Sequence, residues 1–317
     1  MRWQSSAELR VLRARAGLNE RIRRFFVRRN VLEVETPLLC SSGVTDPSLE
    51  PLVVKGGDSL AHPRYLQTSP EYAMKRLLAS GSGAIFQIAR AFRDGEAGSR
   101  HNPEFSLLEW YRPGFDHHQL MAEVAELVQE CLGDRPVVKH RYRQLFLDYL
   151  EVDPFTASTE DLEQRARREL DAGSLSGGRD LWLDLLMSHV LEPRLNGPEL
   201  YFVYDYPASQ AALARTVMSE GVLVGQRFEL YVDGIELANG YFELLDATEL
   251  RQRFAADNAR RRELDRPERP VDEYLLAAME SGLPSCAGVA LGLDRLLMLA
   301  SGCSDIRQVL AFDWQRC

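Results

Sequence analysis

The sequence predicts an α+β fold, an antiparallel β-sheet flanked by helices. Three observations carry this. Two apolar runs, GAIFQIARAF and SLLEWY, bracket a polar loop, FRDGEAGSRHNPEF, as strands joined across a turn do. FELYVDGIELANG reads as two strands folded at Asp233-Gly234. The helical blocks are not set one after each strand, so the regular alternation of a doubly wound sheet is missing.

Taken in order, residues 5–30 read as a helix, with Leu9, Leu12, Ala16, Ile22, Phe25 and Phe26 at helical spacing among arginines. A short strand over Val31–Val34 follows, closed by Pro37, which cannot donate to a ladder. Turn signals at Gly43, Asp46-Pro47 and Gly56-Gly57 mark 40–64 as loop and short strands. Another strand ends at Thr68; Ser69 suits an N-cap, Pro70 the first helical position and Glu71 the first turn. That helix runs to about Ala79 and stops at Gly81. After the two strands come a helix over 116–132, a mostly helical stretch over 140–200, and helices over 246–263 and 272–281. CAGVALGLDRLLMLASG closes the pattern as a glycine-interrupted strand running into a short helix.

Composition excludes several classes. The 317 residues carry 45% hydrophobic and 27% charged side chains, ordinary for a globular protein able to bury a large core. No apolar run is long enough to span a membrane, and the charged N-terminus lacks the apolar core of a signal peptide. The five cysteines are scattered without a CxxC pair, which suits reduced thiols in a cytoplasmic protein. A net charge of −9 gives no support for nucleic acid as the main partner. The P-loop, GxGxxG, GxSxG and HExxH patterns are all missing, so any ATP site must use another fold.

Strand alternation then sorts the polar residues. Phe105, Leu107, Glu109 and Tyr111 share one face, as do Gln87, Ala89, Ala91 and Arg93. If the two strands pair, Arg93, Glu109 and Tyr111 can point into one cleft. Glu109 sits in an apolar strand, where an unpaired carboxylate is costly; the alternative is a glutamate facing solvent or paired to arginine. Glu236 and Glu243 lie seven apart, roughly 23 Å along straight strand at ~3.3 Å per residue. They could hold one cation only if the chain bends between them, and Asn239-Gly240 is a turn-prone pair placed to do that. The alternative is a hairpin with two surface glutamates. Gly288, Ala290 and Gly292 leave one strand face without bulk, open to a flat ligand or to close backbone packing. Asp294 and Arg295 then open a helix, and an arginine there can meet a polyphosphate.

These residues resemble the catalytic domain of class II aminoacyl-tRNA synthetases of the lysyl type. All three class II motifs occur in order: the first helix and strand to Pro37, FRDGEAGSRHNPEF with SLLEWY, and GVALGLDRLLML. TSPEYAMKRLL, HNPEF and GIELANGYFEL are similar to lysyl-type wording, and the likeness covers about 15–313, weakest over 140–200. Motif 1 begins within the first twenty residues, so an anticodon-binding OB-fold ahead of it is not expected. A free-standing core of this kind resembles the elongation factor P–(R)-β-lysine ligases, one catalytic domain over 1–317. The resemblance implies ATP-dependent activation of (R)-β-lysine as an adenylate and transfer to a lysine ε-amine of elongation factor P.

By the same resemblance, Arg93 holds the α-phosphate, Phe105 stacks on adenine and His101 lies in the ATP-contact loop. Asp94 and Gly95 line that loop, Gly292 lies under the nucleotide and Arg295 meets the γ-phosphate. Glu236 and Glu243 are the acidic pair for ATP and Mg2+, with Leu237 a backbone contact. Ser69, Pro70, Glu71, Tyr111 and Glu243 form the amino-acid pocket, with Glu109 and Asn239 as neighbours. Lysyl-type motif 2 reads Arg-x-Glu, whereas this chain has Arg93-Asp94-Gly95 with Glu96 one place later. That leaves Asp94, Glu96 or the backbone to replace the missing glutamate. Ala290 stands where lysyl-tRNA synthetases have glycine and the ligase family has alanine. The resemblance further implies a homodimer through residues 8–37, a cytoplasmic enzyme and no stable tRNA binding. A truncated lysyl-tRNA synthetase-like enzyme, charging tRNA or a small molecule, is the alternative; a non-catalytic binding module is a third reading, and it predicts loss of Arg93, Glu236, Glu243 or Arg295, all of which are present.

Overall fold

The first helix forms, though shorter than expected and with its stripe turned at the start: α1 spans Leu9–Val27 and buries Ile22, Phe25 and Phe26 as expected, but Val11 and Leu18 in place of Leu9, Leu12 and Ala16. Phe26 stacks on Phe86 at 4.4 Å between ring centroids and meets the edge of Trp110 at 5.3 Å. The structure, a computed structural model, describes residues 3–56 and 62–317. Gly57, half of one expected turn, lies outside them. Contacts divide the chain into two units, Met1–Gly114 with Leu245–Cys317, and Phe115–Leu244.

In the first unit α1 leads into β1 (Leu32–Glu33), which pairs in parallel with β5 (Ile85–Phe92). Between them β2 (Leu39–Cys40), β3 (Val53–Val54) and β4 (Arg64–Leu66) form a small sheet in the order β2–β4–β3. α2 is Glu71–Ala79, one residue later than expected. Ser69 still performs the capping: its Oγ accepts the Glu71 N–H at 3.0 Å. Gly81, at φ +86°, ends the helix. β6 (Glu104–Pro113) runs antiparallel to β5, with Ile85 opposite Tyr111 and Ala91 opposite Phe105, as the flanking apolar runs predict.

The second unit opens on α3 (His117–Leu132), started by a capping box of Asp116 and Gln119 and stopped at Gly133. β7 (Val137–Arg141) then pairs in parallel with β8 (Leu200–Pro207), a strand the mostly helical expectation for 140–200 did not reach. Between them lie α4 (Tyr142–Leu150), α5 (Thr159–Glu169) and α6 (Arg179–Leu186), followed by a π-helical turn at Met187–Leu191. Their apolar faces make one cluster, including Tyr142, Phe146, Leu162 and Trp182, closed by Val203, Tyr206 and Tyr231 from the sheet. The stretch therefore covers one face of this unit's sheet. β9 (Thr216–Ser219) pairs with β10 (Val222–Val232), and β10 folds back into β11 (Ile235–Phe242). The turn between them is the expected one: Asp233 and Gly234 both have positive φ, +50° and +68°, as a two-residue hairpin requires.

The chain returns to the first unit through α7 (Ala247–Glu263), capped by Asp246, and α8 (Glu273–Gly282), capped by Asp272. β12 (Cys286–Gly292) pairs with β6 and passes without a loop into α9 (Leu293–Ser301). The strands of this unit's main sheet lie in the order β1–β5–β6–β12, and all but the β1–β5 pair are antiparallel. The α+β expectation holds. Among the described residues no helix is long and apolar enough to cross a membrane.

Candidate active site

In the first unit three adjacent strands put the expected residues on one face. Gln87, Glu109 and Ala290 lie opposite one another across β5, β6 and β12; so do Ile85, Tyr111 and Gly288, and Ala89, Leu107 and Gly292. Directly opposed residues point the same way. The face is therefore floored by small residues along β12 and carries one carboxylate at its centre.

Glu109 is 2% exposed and is not the solvent-facing glutamate considered as an alternative. Its Oε2 accepts the Ser69 hydroxyl at 2.7 Å and its Oε1 the Tyr111 hydroxyl at 2.8 Å. Each bond to an ionised oxygen is charge-assisted, which offsets the cost of burial. Ser69 thus serves twice, capping α2 and binding Glu109. One residue beyond Pro70, Glu71 accepts from Lys75 Nζ through Oε1 at 2.7 Å. Lys75 is 2% exposed, a buried cation the sequence reading missed; its spacing of four from Glu71 on one helix was the available signal.

Arg93 follows the last residue of β5 and stays on the same face. Its guanidinium lies over the Phe105 ring, 5.0 Å from the centroid, and its Nε is buried without a hydrogen-bond partner. Of the groups considered for the motif 2 glutamate, Glu96 turns back to Arg93 at 3.8 Å, while Asp94 is exposed and donates its N–H to the Glu50 carbonyl at 2.7 Å. Gly95 has φ +78°, a conformation in which a glutamate would be strained.

Gly292 needs to be glycine for neither usual reason. Its φ is −68°, and a Cβ built on it would meet only the Arg295 side chain, no closer than 3.5 Å. Close packing, the alternative for this position, is therefore not what keeps it bare. Arg295 Nη2 lies 2.7 Å from His101 Nε2. A guanidinium has no acceptor, so Nε2 receives the proton and the imidazole carries its own on Nδ1. Desolvation in the loop and then the Arg295 charge lower the His101 pKa, which favours this neutral form.

In the second unit the expected turn at Asn239-Gly240 is not formed: both residues lie inside β11, paired with Glu229 and Phe228. The irregularity falls at Leu237 instead. Tyr231 pairs with Glu236 and Leu230 with Ala238, so Leu237 is the extra residue of a β-bulge. A bulge bends the strand and shifts its alternation by one. Glu236, Asn239 and Tyr241 thereby face the same side as Tyr231, Glu229 and Arg227, and alternation carries this on to Glu243. Seven residues of regular strand would have put the two glutamates on opposite faces. Glu243 is 1% exposed and bridges to Ala214. Ladder pairing explains the missed turn: Asn-Gly bends a free chain, but here the sheet holds it extended.

A polar network, also missed, lies on this same side. Glu229 accepts from the hydroxyls of Tyr206, at 2.5 Å, and Tyr231 and pairs with Arg227, whose Nε reaches Asn239 Oδ1 at 3.2 Å. Burial acts first to lower the Arg227 pKa, but the Glu229 carboxylate and its neighbours outweigh it, so the guanidinium stays charged.

Residues 1–316 match the family described as tRNA synthetases class II (D, K and N). The chain is 48% identical over 314 residues to the elongation factor P–(R)-β-lysine ligase of Mannheimia succiniciproducens, covering 98% of this chain and 97% of that one. It is 49% identical over 316 residues to the ligase of that name from Proteus mirabilis, with 98% and 97% covered. The same figure, 49% over 319 residues, holds for the one from Pseudoalteromonas translucida, with 99% and 98% covered. The chain belongs to the class II tRNA synthetase family (D, K and N), within which these relatives are elongation factor P–(R)-β-lysine ligases.

Proposed function

We propose that the chain, acting as one catalytic domain over 1–317, is an ATP-dependent ligase. It activates (R)-β-lysine as an aminoacyl-adenylate, releasing pyrophosphate, and passes the acyl group to a lysine ε-amine of elongation factor P, releasing AMP and forming an amide. One observation carries the reading: a single strand face holds the buried carboxylate of Glu109 over a floor of Gly288, Ala290 and Gly292, beside Arg93 and Phe105, and Ser69, which binds Glu109, also caps the helix that Glu71 begins. A diamino acid needs acidic partners for its ammonium groups, and a nucleotide needs a ring to stack on and guanidinium for its phosphates.

In this reading Ser69, Pro70, Glu71 and Tyr111 orient the amino acid. Glu109 holds the Ser69 and Tyr111 hydroxyls in place. The substrate carboxylate attacks the α-phosphorus itself, so no covalent nucleophile is required. Arg93, whose buried Nε has a bond still to give, neutralises charge at the α-phosphate, and Phe105 stacks on adenine. Arg295 and His101 take the distal phosphates, with Asp94 and Gly95 shaping the loop and Gly292 under the nucleotide. Glu236 and Glu243, with Leu237 as a backbone contact, would hold Mg2+. The bulge puts both side chains on one side of β11, which suits carboxylate ligands. When bound, magnesium offsets phosphate charge.

The test is direct. Labelled β-lysine and ATP are incubated with the enzyme and either elongation factor P or tRNA; label on the protein factor supports the reading, and label on tRNA replaces it with a truncated lysyl-tRNA synthetase. Ala290→Gly sharpens the substrate assignment. Removing the methyl from the floor raises pyrophosphate exchange with α-lysine relative to β-lysine, and an unchanged ratio removes Ala290 from specificity. We further propose a cytoplasmic homodimer through residues 8–37, without stable tRNA binding. Leu9, Val27 and Leu32 expose 62%, 68% and 57% of their surfaces there, apolar side chains that a second copy would cover. Light scattering at ~36 kDa and micromolar concentration, the mass of one chain, excludes it.

A further inference from the structure

We infer that Asp294 is a positioning residue that fixes the two halves of the ATP site in the first unit to one another, and that Arg15 of α1 holds it in that role. The inference rests on the proposed ATP reading and deepens it. Asp294 stands next to Arg295 in the first turn of α9 but is 2% exposed, against a half-buried Arg295. Its Oδ2 accepts the backbone N–H of Ser106 at 2.7 Å, and its Oδ1 is paired with Arg15 Nη2. The same Arg15 nitrogen donates to the Val309 carbonyl at 2.9 Å.

The position of the first bond gives it meaning. The β12–β6 ladder ends with Gly292 opposite Leu107. Beyond it β12 has turned into α9 and offers no further strand carbonyl, and the Asp294 carboxylate supplies an acceptor for the next N–H of β6. Ser106 adjoins Phe105, the aromatic assigned to adenine, and Asp294 adjoins Arg295, assigned to the distal phosphates. One buried carboxylate therefore sets the offset between the two groups at the ends of the nucleotide. Both its oxygens are engaged within the protein, so it acts through its neighbours and not on ATP or a cation. Its charge is balanced from α1, the helix assigned to the subunit interface. Removing one partner of such a pair leaves an uncompensated buried charge, so the pair holds or fails together.

The experiment compares Asp294→Asn, Arg15→Met and Arg15→Lys by pyrophosphate exchange, with ATP and β-lysine varied separately and folding followed by thermal melting. A displacement of about an ångström at a positioned group costs up to roughly 100-fold in rate. We expect Asp294→Asn and Arg15→Met to lower kcat/KM for ATP at least tenfold while the KM for β-lysine stays within about twofold, and Arg15→Lys to recover most of the loss. The Asp294→Asn loss shrinks in an Arg295→Ala background, because the part that acts through Arg295 adds nothing once that residue is gone. Equal losses for ATP and β-lysine, or full additivity with Arg295→Ala, overturn the inference even if the melting temperature falls. Should Asp294→Asn not fold, the two Arg15 variants decide the matter by the same ratio. Arg295→Ala and Phe105→Ala alone test the underlying reading: if neither weakens ATP, that reading fails; if both do and Asp294→Asn does not, only this inference fails.

Discussion

Two buried glutamates, one in each unit, are built alike and put to different use. Glu109 in β6 and Glu229 in β10 are 2% and 7% exposed, and each accepts a hydroxyl from the tyrosine two residues on, Tyr111 and Tyr231. Each also binds a hydroxyl from elsewhere, Ser69 and Tyr206. What differs is the surroundings. Glu229 is clamped by Arg227, and its tyrosines belong to the apolar cluster under α4, α5 and α6, so bulk closes over it. Glu109 lies opposite Ala290, flanked by Gly288 and Gly292, with Ser69 and Glu71 at the start of a helix beside it. The same local device is sealed in one place and set on a bare floor in the other. A strand carboxylate becomes a candidate binding group through what its cross-strand neighbours leave open.

The comparison breaks most readily at Glu229. Glu229→Leu leaves the Arg227 guanidinium buried without its carboxylate, which costs on the order of 3–5 kcal/mol. Denaturant unfolding should register that loss, with pyrophosphate exchange per folded molecule little changed; a stable but inactive variant would mean the sealed site acts in catalysis. Glu109→Gln is the mirror case. It keeps the shape and loses charge-assisted bonds worth roughly 1.5–3 kcal/mol each, and β-lysine activation should drop about 100-fold, more than any fall in stability explains. Equal losses of stability and activity would make the two glutamates equivalent.

Gly292→Ala tests the floor. At φ −68° the added methyl should leave stability unchanged or raise it by about 0.4–1 kcal/mol, while the KM for ATP rises several-fold. An unaltered KM would show that nothing lies on that glycine. The smallest effect concerns His101. Its folded pKa is lowered below the ordinary 6.5, so the unfolded chain binds the proton more tightly. The contribution of the neutral imidazole is present above pH 6.5 and is lost as pH falls through the lowered folded value, when two cations face each other. Unfolding free energy should fall slightly over that acidic range, and His101→Asn should flatten the profile; an unchanged profile removes His101 from the Arg295 contact.

Alternation and periodicity made much of this legible. The faces of β5 and β6, the hairpin at Asp233-Gly234 and the cap at Ser69 follow from residue order, because each depends on groups within a few positions of one another. Glu71 and Lys75, on one helix at a spacing of four, could have been read and were not. Three features lay beyond that reach. The bulge at Leu237 arises where two strands compete over register, so no property of GIELANGYFEL alone locates it. The Arg227–Glu229 network needs Tyr206, from another strand. The Arg15–Asp294 pair joins residues 279 apart.

By itself the sequence determined the element types, the motif order and which side chains could share a strand face, since backbone geometry and local capping set these. Only the tertiary structure decided which polar groups are sealed and which stand over a bare floor. Burial is a property of what packs on top, and that comes from chain segments remote in sequence.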